Sequence, residues 1–297
     1  MISNPKIEMM PLEMKKEIIG QRFLKTFCWA YEKSSFYREK YTKAQIKSNK
    51  IKEIDDIKKL PLTTIDELKQ IDPLELLTVP VSVTLRLNKT ISGLYRGFTS
   101  NDIARNLDIA VRSLASNEIN KASTVIICGK YSSQYLLDLH YAAEALGATV
   151  IPCNDVQSAI DISNIFNANT LITTSKNLQE ILNKAPDTLP PKVIALVNTF
   201  EKDILLEEIE TKLNCTFSKV YMSRYFGLAG IFFTCEENKL HIQDDYLYPE
   251  IIDGNLVITP LSFEAMPIIR LQTNIPAKLN KGTCKCGRTL ATIELEL

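Results

Sequence analysis

Between residues 122 and 222 the sequence switches repeatedly between the period of a strand and that of a helix, and this alternation constrains the fold more than any other feature. Residues 122–129 (A-S-T-V-I-I-C-G) form a short apolar run of the kind buried on both faces of a parallel sheet. The stretch K-Y-S-S-Q-Y-L-L-D-L-H-Y-A-A-E-A-L-G-A-T-V-I-P-C follows and reads as a loop, a helix, a glycine C-cap at Gly147 and a second strand ending at Pro152. The pattern continues as helix 156–167, strand 170–174, helix 176–184, strand 192–197, helix 201–213 and strand 216–222. Strands separated by helices pair in parallel through crossovers, so the predicted fold class is α/β, with a doubly wound, mostly parallel sheet flanked by helices. Ligands on such a sheet bind beyond the carboxyl ends of the strands, which makes Thr174, Ser175, Asn198 and residues 222–225 the expected pocket rim.

The segments on either side carry different signals. Residues 14–41 place apolar side chains at helical spacing and predict a long amphipathic helix with a turn at Ser34 and Ser35. Thr64 is positioned to cap a further helix whose first turn holds Asp66 and Glu67. In the last third, four soft or borderline metal ligands recur: Cys235 and His241 on a hairpin-like segment, and Cys284 and Cys286 on the knuckle C-K-C-G. Four such ligands suit a closed tetrahedral zinc site, and the glycine lets the backbone bend so that both thiolates face one ion. The alternative is a pair of free cysteines beside a surface histidine. A closed site leaves no position for substrate or activated water, so zinc here would be structural.

With 297 residues, 45% of them apolar and 24% charged, the chain suffices for one large domain or two packed lobes. Zero net charge argues against a nucleic-acid groove or an anionic membrane surface as partner. No run approaches the about 18 apolar residues of a membrane span, and the N-terminus lacks an apolar signal core, so a cytoplasmic location is predicted. Seven cysteines, an odd number, read as metal ligands plus buried thiols of a reducing compartment. Cys28, Cys128, Cys153 and Cys215 have apolar neighbours and are predicted to lie in the core. Cys153 ends a strand of the expected pocket, where it is either an inert thiol or a nucleophile.

Three phrases of the last third, H-I-Q-D-D-Y-L-Y-P-E-I-I-D, L-V-I-T-P-L-S-F-E-A-M-P-I-I-R and T-C-K-C-G-R-T, resemble the phenylacetate-coenzyme A ligase family of adenylate-forming acyl/aryl-CoA ligases. So do S-S-F-Y-R-E-K-Y, L-P-L-T-T-I-D-E-L-K-Q and L-H-Y-A-A-E-A-L-G-A-T-V-I-P further upstream. The resemblance runs from Phe36 to Thr289 and implies the large N-terminal domain of that fold. It divides the chain into a helical segment (1–80), a doubly wound core (81–225) and a β-rich subdomain with the zinc site (226–297). It implies structural zinc at Cys235, His241, Cys284 and Cys286, as in many family members, and an acyl or aryl pocket near Tyr131, His140, Tyr141, Ser175 and Tyr225. His140 reads either as a hydrogen-bonded wall residue or as a catalytic base. Family members are often dimers, so a homodimer is an expectation.

The family's nucleotide elements are altered. The helix start F-T-S-N-D persists at residues 98–102, but the preceding phosphate loop, usually rich in serine, threonine and glycine, is replaced by residues 86–92 (R-L-N-K-T-I-S). Asn88, Lys89, Thr90 and Ser92 are the polar remnants, while Leu87 and Ile91 bring bulk where a phosphate cradle needs small residues. A rival alignment places Ser92 and Gly93 as the remnant, with Leu94 and Tyr95 replacing hydroxyls. The family's magnesium-motif glutamate falls on Phe226, and its ribose-binding aspartate falls near Asn274 and Ile275. The sequence stops at Leu297, where the family continues into a small lid domain. ATP and magnesium are therefore cofactors that the resemblance implies and these positions oppose. The leading expectation is a degenerate ligase-like protein that keeps the zinc-stapled scaffold and either binds a carboxylic acid or acyl thioester, partners an active ligase or carrier protein, or performs a repurposed acyl transfer. The alternatives are a ligase completed by a separate lid polypeptide, or a structural subunit of a biosynthetic complex.

Overall fold

The computed structural model describes residues 1–198, 205, 206, 209 and 215–296. The helix expected over 201–213 falls largely outside them. Helices α1 (Pro5–Glu8), α2 (Leu12–Lys33), α3 (Ser35–Lys43) and α4 (Ile65–Gln70) precede the hairpin of β1 (Arg86–Lys89) and β2 (Tyr95–Phe98), and helix α5 (Ser100–Ser116) follows it. The alternation is then β3 (Thr124–Cys128), α6 (Gln134–Ala145), β4 (Thr149–Cys153), α7 (Val156–Phe166), β5 (Thr170–Thr174), α8 (Ser175–Lys184), β6 (Lys192–Asn198) and β7 (Thr216–Ser223). Short strands complete the chain: β8 (Leu228–Ala229), β9 (Phe232–Thr234), β10 (Leu240–Ile242), β11 (Leu247–Ile252), β12 (Asn255–Pro260), β13 (Leu271–Asn280) and β14 (Thr292–Leu295). Two compact units result, one of residues 1–3 and 106–235, the other of residues 4–105 and 236–297. Among the described residues no helix is long and apolar enough to cross a membrane.

The first unit is built on a sheet of order β4-β3-β5-β6-β7-β8, parallel from β4 to β7 and closed by the antiparallel β8. Successive strand residues face opposite layers: Ile127 and Ile194 pack with Leu139 and Ala143 of α6, whereas Ile126 and Val193 pack with Val156 of α7 and Leu178 of α8. Helices cover both faces, as the unbroken apolar strands require. Asn167 ends α7 in the left-handed conformation (φ 47°), and Asp155 and Thr174 cap α7 and α8 by accepting the amides of Ser158 and Asn177.

The second unit packs α2 and α3 through an aromatic cluster in which Tyr41 lies 5.6 Å from Phe27 and 5.4 Å from Tyr37, centroid to centroid. The predicted long helix divides at Ser34, whose extended backbone and side chain, accepting the Tyr37 amide, start α3 anew. Thr64 caps α4 in a reciprocal capping box with Glu67. Strands β11, β12, β13, β14 and β10 lie in that order in an antiparallel sheet. Asp253 and Gly254, both at positive φ, make the two-residue turn between β11 and β12.

The core prediction for the cysteines needs correcting at two positions. Cys128 and Cys153 are buried, but Cys28 is exposed and Cys215 only partly buried. Helix α2 buries Phe23, Phe27 and Ala30, and Cys28 projects from another face.

Candidate functional site

The metal-ligand candidates are set out by β10, β14 and the turn between β13 and β14. His241 pairs with Thr292 across β10 and β14, and this register points its fully buried imidazole at the residues before β14. The Leu290 carbonyl lies 2.9 Å from Nδ1 and accepts its hydrogen, and Nε2 faces the Cys286 sulfur at 3.5 Å. Burial pushes the His241 pKa down, which favours the neutral, metal-ligating form. The knuckle closes on itself through Cys284 N–H to the Arg288 carbonyl (2.8 Å) and Gly287 N–H to the Cys284 carbonyl (2.9 Å). Gly287 sits at φ 86°, a conformation glycine adopts without strain.

Cys235 completes the set. One ligand atom from each of Cys235, His241, Cys284 and Cys286 lies within 4.8 Å of all the others. Bonds of the usual zinc–sulfur length give a tetrahedron with edges of about 3.8 Å, so a small inward adjustment would close the four around one ion. Three thiols and an imidazole suit zinc, and hard cations would prefer oxygen.

Buried charge braces this end of the second unit. Lys15 Nζ reaches Asp244 Oδ2 at 2.9 Å and also donates to the Thr289 carbonyl, while Asp244 Oδ2 accepts the Ala291 amide at 3.1 Å. Arg22 pairs with Asp245 at 2.9 Å and stacks over Tyr246. Arg270, at φ 54°, meets Glu250 through two bonds of 3.0 and 3.1 Å. The acidic residues of the phrase D-D-Y-L-Y-P-E thus hold the frame through lysine and arginine partners that the sequence analysis did not identify.

A second cluster, also not foreseen, stands where α5 begins. Thr99 N–H donates to Asp102 Oδ2 (2.9 Å), Asp102 N–H returns to Thr99 Oγ1 (3.2 Å), and the same carboxylate accepts the amides of Glu264 and Ala265. The Glu264 side chain accepts from Thr99 Oγ1 (3.0 Å) and Asn101 Nδ2 (3.1 Å), with Arg105 and Lys25 each at 3.4 Å. The signal was present in F-T-S-N-D and F-E-A, but nothing local shows that they meet.

The nucleotide-loop positions form a closed hairpin. Arg86 pairs with Phe98 and Lys89 with Tyr95, and Thr90 accepts the Gly93 amide on its carbonyl and the Leu94 amide on Oγ1. Asn88 and Lys89 lie on β1, Thr90 is buried, its hydroxyl 2.9 Å from that of Ser92, and Leu87 and Ile91 are exposed. Phe226, at the glutamate position, is 1% exposed, in a turn that α6 holds through Gln134 Nε2 to the Gly227 carbonyl and Tyr135 OH to the Ser223 carbonyl. Asn274 and Ile275 lie within β13, with Asn274 at φ 58°.

The pocket candidates fall in the first unit. Tyr131 OH lies 3.4 Å from His140 Nδ1, and His140 Nε2 lies 3.2 Å from Glu144 on the next turn of α6. Both imidazole nitrogens thus have a neighbouring polar group. Burial pushes the Tyr131 phenol well up, so it stays protonated. Tyr141 stands edge-on to His140 and is half exposed. Ser175 opens α8 at the carboxyl end of β5, and Tyr225 is buried just after β7. Burial also pushes up the thiols of Cys128 (to about 11) and Cys153, which fits inert core cysteines.

The phenylacetate-coenzyme A ligase of Escherichia coli K12 is 29% identical over 341 aligned positions that cover 99% of this chain and 74% of that enzyme. The Thermus thermophilus enzyme of the same name is 24% identical, covering 97% of the chain and 71% of the relative. No protein-family model matches the chain. Among solved structures, 2-hydroxyisobutyryl-CoA ligase in an open conformation with 2-HIB-AMP and CoA superposes with a TM-score of 0.81 at 17% identity, covering 97% of this chain and 70% of that one. The same ligase in its postadenylation state gives the same TM-score.

Proposed function

From its kinship in sequence with phenylacetate-coenzyme A ligases and its adenylate-forming ligase fold, we propose that residues 1–297 constitute one ligase-like domain that binds a small carboxylic acid or its acyl thioester without adenylating it unaided. The β1–β2 hairpin carries this reading. A triphosphate cradle presents backbone N–H groups from small residues, whereas here the amides of Gly93 and Leu94 are spent within the turn and Leu87 and Ile91 supply the bulk. Phe226 in place of a magnesium-binding carboxylate, and Asn274 and Ile275 in place of a ribose-binding one, support the same conclusion. Tyr131, His140, Tyr141, Ser175 and Tyr225 are the pocket residues in this reading.

Cys235, His241, Cys284 and Cys286 hold one zinc ion, which ties the knuckle to β10. With four protein ligands, its role is to stabilise the fold and not to activate water.

Acid-dependent exchange of labelled pyrophosphate into ATP, run with phenylacetate and a panel of aliphatic and aromatic acids, tests the proposal. No exchange above background, together with saturable binding of at least one acid, is expected. Exchange at the rate of an active ligase would overturn it.

A further inference from the structure

The knuckle that carries two of the metal-ligand candidates is gripped by the N-terminal segment of the second unit. Glu8 is fully buried, and its carboxylate bridges two partners, with Oε1 accepting the Asn4 amide at 2.9 Å and Oε2 accepting from Arg288 Nε at 2.8 Å. The Glu8 carbonyl accepts the Thr289 amide at 2.8 Å, and Thr289 Oγ1 donates to the Met10 carbonyl at 2.7 Å. Arg288 is itself fully buried and also hydrogen-bonds Cys286. Helix α1, at four residues, is far too short to persist alone, so its order derives from these contacts.

We propose that Glu8 and Arg288 form an outer-sphere lock on the metal centre, through which metal occupancy docks residues 4–10 onto the knuckle. The inference rests on the zinc reading given above. Three thiolates and a neutral imidazole around a divalent ion leave one net negative charge in a partly buried place, with Cys235 and His241 buried and Cys284 and Cys286 half-buried. Arg288 is the buried cation in contact with one of those thiolates, and its planar fork reaches Cys286, Glu8 and, at 3.3 Å, the Glu236 carboxylate. The ion fixes Cys286, Cys286 orients Arg288, and Arg288 and Thr289 together present the surface that Glu8 and Met10 occupy. Without the ion the knuckle loses its internal anchor, and the N-terminal segment loses its dock. Arg288 is a positioning residue here, acting on the metal through Cys286.

Four measurements on the full chain test the lock. The first is metal content by mass spectrometry, which tests the zinc reading alone. The second is hydrogen exchange of residues 4–10 with zinc and after chelation. The third is zinc affinity by chelator competition for the wild type and for Arg288→Met, Arg288→Lys and Glu8→Gln. The fourth is the thiolate-to-metal charge-transfer band of the cobalt-substituted proteins. The expected results are one zinc per chain, loss of protection at residues 4–10 on chelation, affinity lowered about 10–100-fold in Arg288→Met, partial recovery in Arg288→Lys, and a shifted band in both. Glu8→Gln should keep its zinc yet lose protection at residues 4–10. A zinc-loaded wild type whose residues 4–10 exchange identically with and without metal, or an Arg288→Met protein of unchanged affinity and band, would overturn the lock and leave the zinc reading intact. A wild type that holds no metal would overturn both. Should Arg288→Met fail to fold, Glu8→Gln and Arg288→Lys decide the matter by the same readouts.

Discussion

The carboxylate of Asp102 accepts the backbone N–H of Glu264 at 2.7 Å, joining the first turn of α5 to the phrase F-E-A-M-P far along the chain. It also takes the amides of Ala265 and Thr99, each at 2.9 Å, and lies 3.2 Å from Arg105 Nη1. With its charge and both oxygens engaged, Asp102 cannot be replaced by asparagine without leaving at least one buried donor unpaired. Asp102→Asn should therefore cost at least about 1–3 kcal/mol. Thermal denaturation reads this as a Tm several degrees lower, and an unchanged Tm would show that the junction contributes nothing.

Glu264 titrates in the direction that makes the protein acid-sensitive. Burial pushes its pKa up, but the hydrogen bonds from Asn101 and Thr99 and the charges of Arg105 and Lys25 outweigh that and hold it below the ordinary 4.5. A depressed folded pKa gives stability that is complete above the unfolded value and is lost as pH falls through the folded one. The Tm advantage of the wild type over Glu264→Gln should stay constant between about pH 8 and pH 5 and shrink below about pH 4.5. An advantage that grew on acidification would contradict this sign.

At the knuckle, Cys284→Ser removes one soft ligand of the candidate set. Loss of bound metal and a lower Tm are expected, because binding energy at a structural site is folding energy. Chelation of the wild type should produce the same shift, and equal stability and metal content in the variant would show that Cys284 is not a ligand.

Gly287 lies in the left-handed region, and a Cβ there would stand 3.0 Å from the end of the Met9 side chain. Gly287→Ala should cost about 1–2 kcal/mol, mostly in backbone strain, since a methionine terminus can yield. Urea denaturation measures it, and a neutral result would mean that the knuckle can adopt another backbone.

Much of the first unit was legible in the sequence because its signals are local. The apolar run 124–128 and the helix C-cap at Gly147 are each set by residues within a few positions. Thr64 and Glu67 belong to the same class. The knuckle also announced itself, since the close spacing of Cys284 and Cys286 and the following glycine limit what the backbone can do. Partners far apart in the chain were not legible. Nothing in the spacing of Glu8 and Arg288, Lys15 and Asp244 or Asp102 and Glu264 indicates that they meet, because tertiary packing selects one cation among many for each acid. Cys28 was misread for a related reason, since apolar neighbours in sequence do not say which face of α2 a side chain takes.

Calorimetric titration of the zinc-loaded protein with Mg-ATP, with AMP as control, addresses the proposed loss of adenylation most directly. No heat of binding at millimolar nucleotide is the predicted result, consistent with a hairpin whose turn amides are already paired. Micromolar binding of Mg-ATP would contradict it and would show that the altered hairpin still holds nucleotide.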